Sequence, residues 1–297
     1  MKRLKPFSYF EPTTLQEAIE IAITNGSGTY FLAGGTDLYV RMKRGEIRPS
    51  NLVNLKRIKG LNQIEREPKK GLRIGALTRI SEIEHSPLIY SSHPVLRQAA
   101  GILGSPSIRN LATIGGNIGR ASPASDLIPS LMVLCTRVSV EGGQGKKELD
   151  LQQLFLGPGR TALLPSEVIT SFFLPEMAPL TSATYLKLGR VEGMDCALVG
   201  VAALLTLSDN TIEAKEAKVA LASVGPVPLR AKKAEEILLS GPLTEGRIKE
   251  ASRAAADDSC PITDMRASSS YRKEMVKVLT FRALSKTLNL AQGEKLK

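Results

Sequence analysis

An α+β fold is predicted, in two parts of different order, and three observations carry the prediction. Through residues 1–176 the apolar spacing switches back and forth between a helical and a strand period. In residues 177–297 strand-like runs come first and helical runs follow without alternation, the pattern of segregated elements. Between the two, around LLPSEVITSFFLPEMAPLTSAT, Pro175 and Pro179 and a Ser/Thr cluster mark a boundary. With 297 residues there is chain enough for two cores, since domains typically run about 100 to 200 residues.

The elements follow in order. Thr14 stands three residues before Glu17, the spacing of a capping box; Leu15, Ala18, Ile19, Ala22 and Ile23 then share a face until Asn25-Gly26 ends the helix. TYFLAGG, β-branched and aromatic before its glycines, reads as a strand delivering a loop, with a short helix from Asp37 before Pro49. NLVNLKRI and GLRIGAL read as strands, HPVLRQAAGILGS as a helix ending at Gly104, ASDLIPSLMVL as helical and CTRVSVEGG as a strand. Beyond the boundary, ATYLKLG, ALVGVAALLTL and AKVALASVG are predicted strands, and RAKKAEEILLS, LTEGRIKEASRAAADD and SYRKEMVKVLTFRALSKTL predicted helices. The apolar run from Cys196 is far short of the roughly 20 residues that span a membrane, so it reads as a buried strand.

Composition narrows the classes. A chain that is 42% hydrophobic and 23% charged is globular rather than disordered. The net charge of +11 raises nucleic acid as a partner, but Lys and Arg are dispersed and aromatics, at 4% with no Trp, leave little for base stacking. No nucleic-acid partner is expected; a basic surface suits an anionic cofactor or an acidic partner subunit equally well. Cys135, Cys196, Cys260, His85 and His93 are too scattered for an iron-sulfur or zinc site, and unpaired cysteines fit a reducing cytoplasm. The basic start MKRLK lacks the apolar core of an export signal, so no export is expected.

Familiar catalytic patterns are missing: GxxxxGK[ST], HExxH and GxSxG do not occur. GPGRTA at Gly157 matches a loose GxGxxA, but Pro158 interrupts it and no βαβ unit surrounds it, so it reads as a turn. Two other glycine pairs have more to say. FLAGGTDL and NLATIGGNI each run from apolar residues into Gly-Gly and then a small polar side chain. Both pairs read as loops: glycines let a ligand approach the backbone and let amides face a phosphate, so two such loops could grip a pyrophosphate from opposite sides. Lys187 and Arg190, before the buried strand, are either a solvated strand end or cations beside an electron-rich ring.

AGGTDL at Ala33–Leu38, TIGGNI at Thr113–Ile118 with ASPASDL at Ala121–Leu127, and YLKLGR at Tyr185–Arg190 together resemble the FAD-binding medium subunit of the molybdenum hydroxylases. That family includes aerobic carbon monoxide dehydrogenase and the flavin domain of xanthine dehydrogenase, and the resemblance covers nearly the whole chain. It implies a two-subdomain FAD-binding domain of the vanillyl-alcohol-oxidase type, followed by a smaller C-terminal domain of strands then helices. Leu32, Ala33, Gly34, Gly35, Thr36, Asp37 and Leu38 would line the first pyrophosphate segment. Thr113, Ile114, Gly115, Gly116 and Asn117 would form the second. Asp126 would hydrogen-bond the ribose or the cofactor's polar chain, Leu103 and Ile169 would make apolar contacts, and Lys187 would stand near the isoalloxazine. Thr36-Asp37 replaces the His-Ser of some carbon monoxide dehydrogenase subunits, which argues against carbon monoxide as substrate.

The resemblance implies an oxidoreductase subunit without a catalytic acid, base or nucleophile of its own. Molybdopterin would sit in a large partner subunit and two [2Fe-2S] clusters in a small one, with this chain's FAD passing electrons to NAD, a quinone or oxygen. Two other readings stand beside it: a lone flavin oxidoreductase resembling the enolpyruvyl sugar-nucleotide reductase, and a basic binding module without cofactor. Substitution of Gly35 or Gly115 by valine is expected to abolish FAD retention and leave a folded chain.

Overall fold

The computed structural model describes residues 4–191, 193–209 and 211–293, so the basic start Met1–Arg3 lies outside them. Thr14 caps α1 (Leu15–Asn25) as its spacing predicts: the hydroxyl accepts from the Glu17 amide at 3.2 Å, and the Glu17 carboxylate accepts from the Thr13 amide at 2.9 Å. Ala18, Ile19 and Ala22 are buried, whereas Ile23, at the edge of that face, is 54% exposed. Strands β1 (Ser8–Phe10), β2 (Thr29–Leu32) and β3 (Asn51–Asn54) pair in parallel, with β3 in the middle. Helix α2 (Leu38–Arg44) follows β2, so the segment Ala33–Asp37 leaves the sheet at the carboxyl end of its strands, where open parallel sheets bind ligands.

A second, antiparallel sheet contains β4 (Ile64–Glu67), β5 (Gly71–Gly75), β6 (Arg137–Gly142) and β7 (Gly145–Asp150); a hairpin of β8 (Phe155–Gly157) and β9 (Arg160–Thr161) then precedes β10 (Val168–Pro175). The order β4-β5-β10-β6-β7 puts the last strand at the centre. The boundary signals of the sequence run directly into this strand. Its residues Val168–Leu174 are all buried, so neither face shows alternation, and its Ser/Thr polarity is absorbed internally, with Thr170 Oγ1 donating to the Ser139 carbonyl at 3.2 Å. The hairpin turn is GPGR, with Gly159 at φ +69°, as the reading of that motif as a turn requires.

Six helices pack around this sheet: α3 (Ile80–His85), α4 (Pro87–Ser92), α5 (Pro94–Gly101), α6 (Pro106–Arg109), α7 (Ile114–Gly119) and α8 (Leu127–Val133). The predicted helix over HPVLRQAAGILGS ends at Gly101, and Gly104 turns the chain with φ +57°. His93, 1% exposed, joins α4 to the sheet through Nε2, which donates to the Pro175 carbonyl at 2.9 Å. Burial lowers its pKa from the ordinary 6.5. Between that value and the lower folded one, the unfolded chain binds a proton that the folded chain refuses, so stability falls as pH drops through about 6.5. Denaturant unfolding at successively lower pH is expected to show this loss, and His93→Gln to have a shallower acid slope.

The third sheet, β11 (Thr181–Leu188), β12 (Val199–Leu207), β13 (Ala214–Ala222) and β14 (Leu229–Arg230), is an antiparallel meander, and α9 (Lys232–Leu239), α10 (Glu245–Asp258) and α11 (Ser269–Ala291) follow it. Every residue of β12 is buried. Val199, Val201, Ala203 and Leu205 join the core under the three helices, while Ala202 and Leu204 join that of the second sheet. A strand buried on both faces has no polar side to display, which is why ALVGVAALLTL is continuously apolar. Arg272 of α11, 1% exposed, binds the carbonyls of Leu198 and Ser223 and the Asp264 carboxylate at 2.8 Å, tying the helix to the loops at one end of the sheet. Among the described residues no helix is long and apolar enough to cross a membrane.

Candidate functional site

The two glycine pairs meet. A Cβ built on Gly34 would overlap the Leu111 carbonyl oxygen and lie 2.9 Å from Ala112 Cα; one built on Gly116 would lie 3.8 Å from Ala33 Cβ. Residues 111–116 are held there by an extension of β5. Gly115 N donates to the Ala76 carbonyl at 2.8 Å, Ile114 N to Thr78 at 3.0 Å, and Ile80 N to Ala112 at 2.9 Å, with Arg79 and Thr113 forming an antiparallel bridge. Both sheets thus end on the same slot.

The two segments differ in what they offer. Gly35 has φ +78°, and among the described residues the amides of Gly34, Gly35 and Thr36 have no acceptor in the protein. The second pair is not a loop but the first turn of α7. Gly115 N is used by Ala76, Gly116 N by the capping Thr113 hydroxyl at 3.1 Å, and Asn117 N by the Thr113 carbonyl at 2.9 Å. Its glycines therefore serve close approach, while the first segment supplies unspent amide donors.

Charge is organised across the slot by Asp37. Its carboxylate lies 2.9 Å from Arg120 Nε, at the end of α7, and 3.9 Å from Arg41 Nη1 on α2. Arg120 has room because Gly159 carries no side chain: a Cβ there would sit 2.8 Å from Arg120 Nη1. Leu32 Cδ1 lies 3.2 Å from the position of a Cβ on Gly35, and Leu38 opens α2. Ile169 of β10 lies beneath α7, with Cδ1 3.8 Å from a Cβ position on Gly119.

From the slot a polar path leads to the third sheet. Ser125 Oγ donates to Asn117 Oδ1 at 2.6 Å, so the amide nitrogen of Asn117 is left as a donor. Next to Ser125, Asp126 opens α8 and is 6% exposed. Tyr185 hydroxyl donates to its Oδ1 and Lys187 Nζ to its Oδ2, each at 2.9 Å. Lys187 Nζ also reaches the Ile102 carbonyl at 3.4 Å, and so stands beside the neighbouring Leu103, which is buried in the core. Burial raises the pKa of Asp126 despite its two donors, and drives the Tyr185 hydroxyl well above its ordinary value, with the Asp126 charge adding to that effect. Arg190 is set apart: it is 53% exposed and pairs with Asp195.

Residues 5–177 match the model of the FAD binding domain in molybdopterin dehydrogenase. The chain belongs to this family. Residues 183–287 match the carbon monoxide dehydrogenase flavoprotein C-terminal domain. The 6-hydroxypseudooxynicotine dehydrogenase complex subunit alpha of Paenarthrobacter nicotinovorans is 30% identical over 98% of both chains. The glyceraldehyde dehydrogenase medium chain of Sulfolobus acidocaldarius is 32% identical over 93% of this chain and 96% of that one. Among solved structures, carbon monoxide dehydrogenase from Hydrogenophaga pseudoflava, in a form lacking the Mo-pyranopterin moiety, superposes with TM-score 0.93 at 30% identity, over 96% of this chain and 98% of that one.

As a molybdopterin-dehydrogenase flavoprotein, this chain is an oxidoreductase subunit whose cofactor is FAD, with molybdopterin and iron-sulfur centres carried by other subunits of such complexes. The residues present suit the cofactor. Three unpartnered amides and two arginines adjoin the place where Gly34 packs on the Leu111–Ala112 backbone and Gly116 lies near Ala33, and this is a donor set for a pyrophosphate. Arg120 and Gly200 adjoin the expected residues without having been picked out from the sequence, while Ser125 and Tyr185 fell within the ASPASDL and YLKLGR motifs without being given a role. Arg120 lies four residues after Gly116, one turn of α7 along, a signal that was there to be read; the other three depend on contacts between distant segments.

Proposed function

We propose that this chain is the electron-exit subunit of a molybdenum-dependent hydroxylase or dehydrogenase, holding FAD in the slot between the two glycine segments. The observation that carries the reading is the juxtaposition of those segments with the unpartnered amides of Gly34, Gly35 and Thr36 beside Arg41 and Arg120. Bound FAD supplies the chemistry, since it exchanges electrons one or two at a time. The chain's own residues bind and orient. Gly34–Thr36 donate to the pyrophosphate, Ala33 and Gly116 let it approach, Gly115 lets the second segment pack on Ala76, and Asn117 donates its side-chain amide. Thr113 and Ile114 hold the second segment in shape, and Asp37 keeps both arginines at the slot. Asp126 has lone pairs left for cofactor hydroxyls after serving Tyr185 and Lys187. Leu32, Leu38, Leu103 and Ile169 line the apolar parts, and Lys187 places a cation near the ring.

The partners are a large molybdopterin-binding subunit and a small iron-sulfur subunit. Relatives named for 6-hydroxypseudooxynicotine, glyceraldehyde and carbon monoxide are about equally similar to this chain, at 30%, 32% and 31% identity, which supports a substrate chosen in the large subunit. Three exposed, unpaired cysteines support a cytoplasmic setting. The chain divides into the FAD-binding domain, 1–176, and the C-terminal domain, 177–297.

The purified full chain, incubated with FAD and freed of excess by gel filtration, is expected to keep a flavin visible spectrum in stoichiometric amount. A colourless protein with native circular dichroism would refute the reading.

A further inference from the structure

We propose that Tyr185 is a positioning residue for the flavin site: from β11 of the C-terminal domain it fixes Asp126, and through the adjoining Ser125 it sets the side-chain amide of Asn117 for the cofactor. The inference rests on the reading of the slot as the FAD site and gives a role to a residue of the YLKLGR motif that the resemblance left without one. Tyr185 is 4% exposed, and its hydroxyl donates to Asp126 Oδ1 at 2.9 Å. Its backbone is fixed as well, with the amide donating to Gln98 Oε1 of α5 at 3.2 Å.

Room for the hydroxyl is made by a glycine. Gly200 lies opposite Lys187 in the β11–β12 register, and a Cβ on it would fall 2.7 Å from the Tyr185 hydroxyl oxygen. Any side chain at 200 would push the phenol off Asp126. The segment it steadies is pinned at a second point by the same domain, where Ser223 N donates to the Pro123 carbonyl at 2.8 Å. Ser223 and Ala121 both adopt left-handed conformations, at φ +65° and +48°, which non-glycine residues take only when their surroundings impose it. The stretch from Pro123 to Asp126 is therefore held at both ends by the C-terminal domain, and it contains Ser125, whose hydroxyl orients Asn117.

Asp126 must be ionised to accept strongly from cofactor hydroxyls, and two donors keep it so. Around it, β11 brings Tyr185 and Lys187; α5 brings the neutral Gln98, its Arg97 being engaged by the Glu84 carbonyl and the Tyr90 ring; α7 brings Asn117, with Arg120 engaged by Asp37. β12 and β13 present Ala202, Leu204 and Ala220, while Lys215 and Lys218 of β13 pair with Asp209 and Glu216. Tyr185 and Lys187 are the titratable groups that act on Asp126, against burial that raises its pKa. Loss of the Tyr185 hydroxyl lets Asp126 take up a proton at higher pH and weakens its grip on the flavin there.

The test is the FAD dissociation constant of the full chain across mildly acidic to mildly alkaline pH, read from flavin absorbance after ultrafiltration, with thermal stability measured alongside. Tyr185→Phe is expected to weaken binding about tenfold at neutral pH and to move the acid-side loss upward by about one pH unit. Gly200→Ala should reproduce that profile by displacing the hydroxyl, and Asp126→Asn should remove the acid-side loss altogether. A Tyr185→Phe curve that coincides with wild type, or runs parallel to it with no shift along the pH axis, overturns the positioning role. So does an acid-side loss that persists in Asp126→Asn. A wild-type chain that binds no FAD would instead overturn the reading of the site.

Discussion

Gly34→Ala is expected to cost about 2 kcal/mol of stability and to abolish FAD retention. Three atoms block the new methyl group, the Leu111 carbonyl carbon and oxygen and Ala112 Cα, and all belong to the backbone, so no rotamer change relieves them. The two glycine segments must move apart, and the slot opens at its narrowest point. Gly116→Ala is the gentler companion. Its Cβ meets Thr113 Oγ1 at 3.0 Å and Ala33 Cβ at 3.8 Å, so flavin content should fall while the urea midpoint stays near wild type. The expectation that Gly115→Val loses flavin and leaves the fold intact needs correction. A Cβ at 115 comes within 2.7 Å of Ala76 Cβ and carbonyl oxygen, so the substitution also strikes the extension of β5 that holds the second segment in place. Gly35→Val remains the cleaner of that pair. Its nearest neighbour is the flexible Leu32 Cδ1 at 3.2 Å, and the cost is mainly the φ of +78°, forced on a β-branched residue. Parallel urea unfolding and flavin content on the four variants check the ranking.

Lys187→Met is expected to destabilise the chain by about 3 kcal/mol at neutral pH, because it strands Asp126 with one donor in a place where both side chains are 8% exposed. Adding Asp126→Asn should recover much of that loss, since the amide carries no charge to strand. The pH dependence has a definite sign. The folded-state pKa of Asp126 is raised above its ordinary 3.8, so stability is lost as pH rises through the folded value. Removing Lys187 raises that value further, and the variant's deficit against wild type should grow with rising pH and shrink on acidification. Denaturant unfolding of wild type, single and double variants over a range of pH measures both the deficit and its slope.

Local signals in the sequence marked what local structure decides. The Thr14-Glu17 cap, the turn at GPGR, the continuous apolarity of β12 and the order of strands and helices after it all came through. The glycine pairs were readable as a ligand-approach device, yet two things about them were not. Whether Gly115 N faces a phosphate or Ala76 is settled by a strand extension some forty residues upstream, and no spacing rule reaches that far. Strand β10 was hidden because its central position buries both faces beside a proline-rich stretch that imitates a linker. Gly200 reads as an ordinary strand residue, and Tyr185 as a motif residue without a role, until the β11–β12 register places one hydroxyl in the space another residue leaves empty.

Strand β12 has a consequence for synthesis. Ala202 and Leu204, with Ala183 and Tyr185 from β11 and Ala220 from β13, belong to the same buried cluster as Leu72, Ile118 and Phe172. A nascent chain on the ribosome cannot close that cluster until residues near 220 have left the exit tunnel. Its early form holds a half-built interior, and the segment ending at Asp126 lacks its contacts with Tyr185 and Ser223. Flavin capture is thereby deferred until translation is nearly finished, and a prematurely terminated product would be a sticky fragment for proteolysis rather than a miniature flavoprotein.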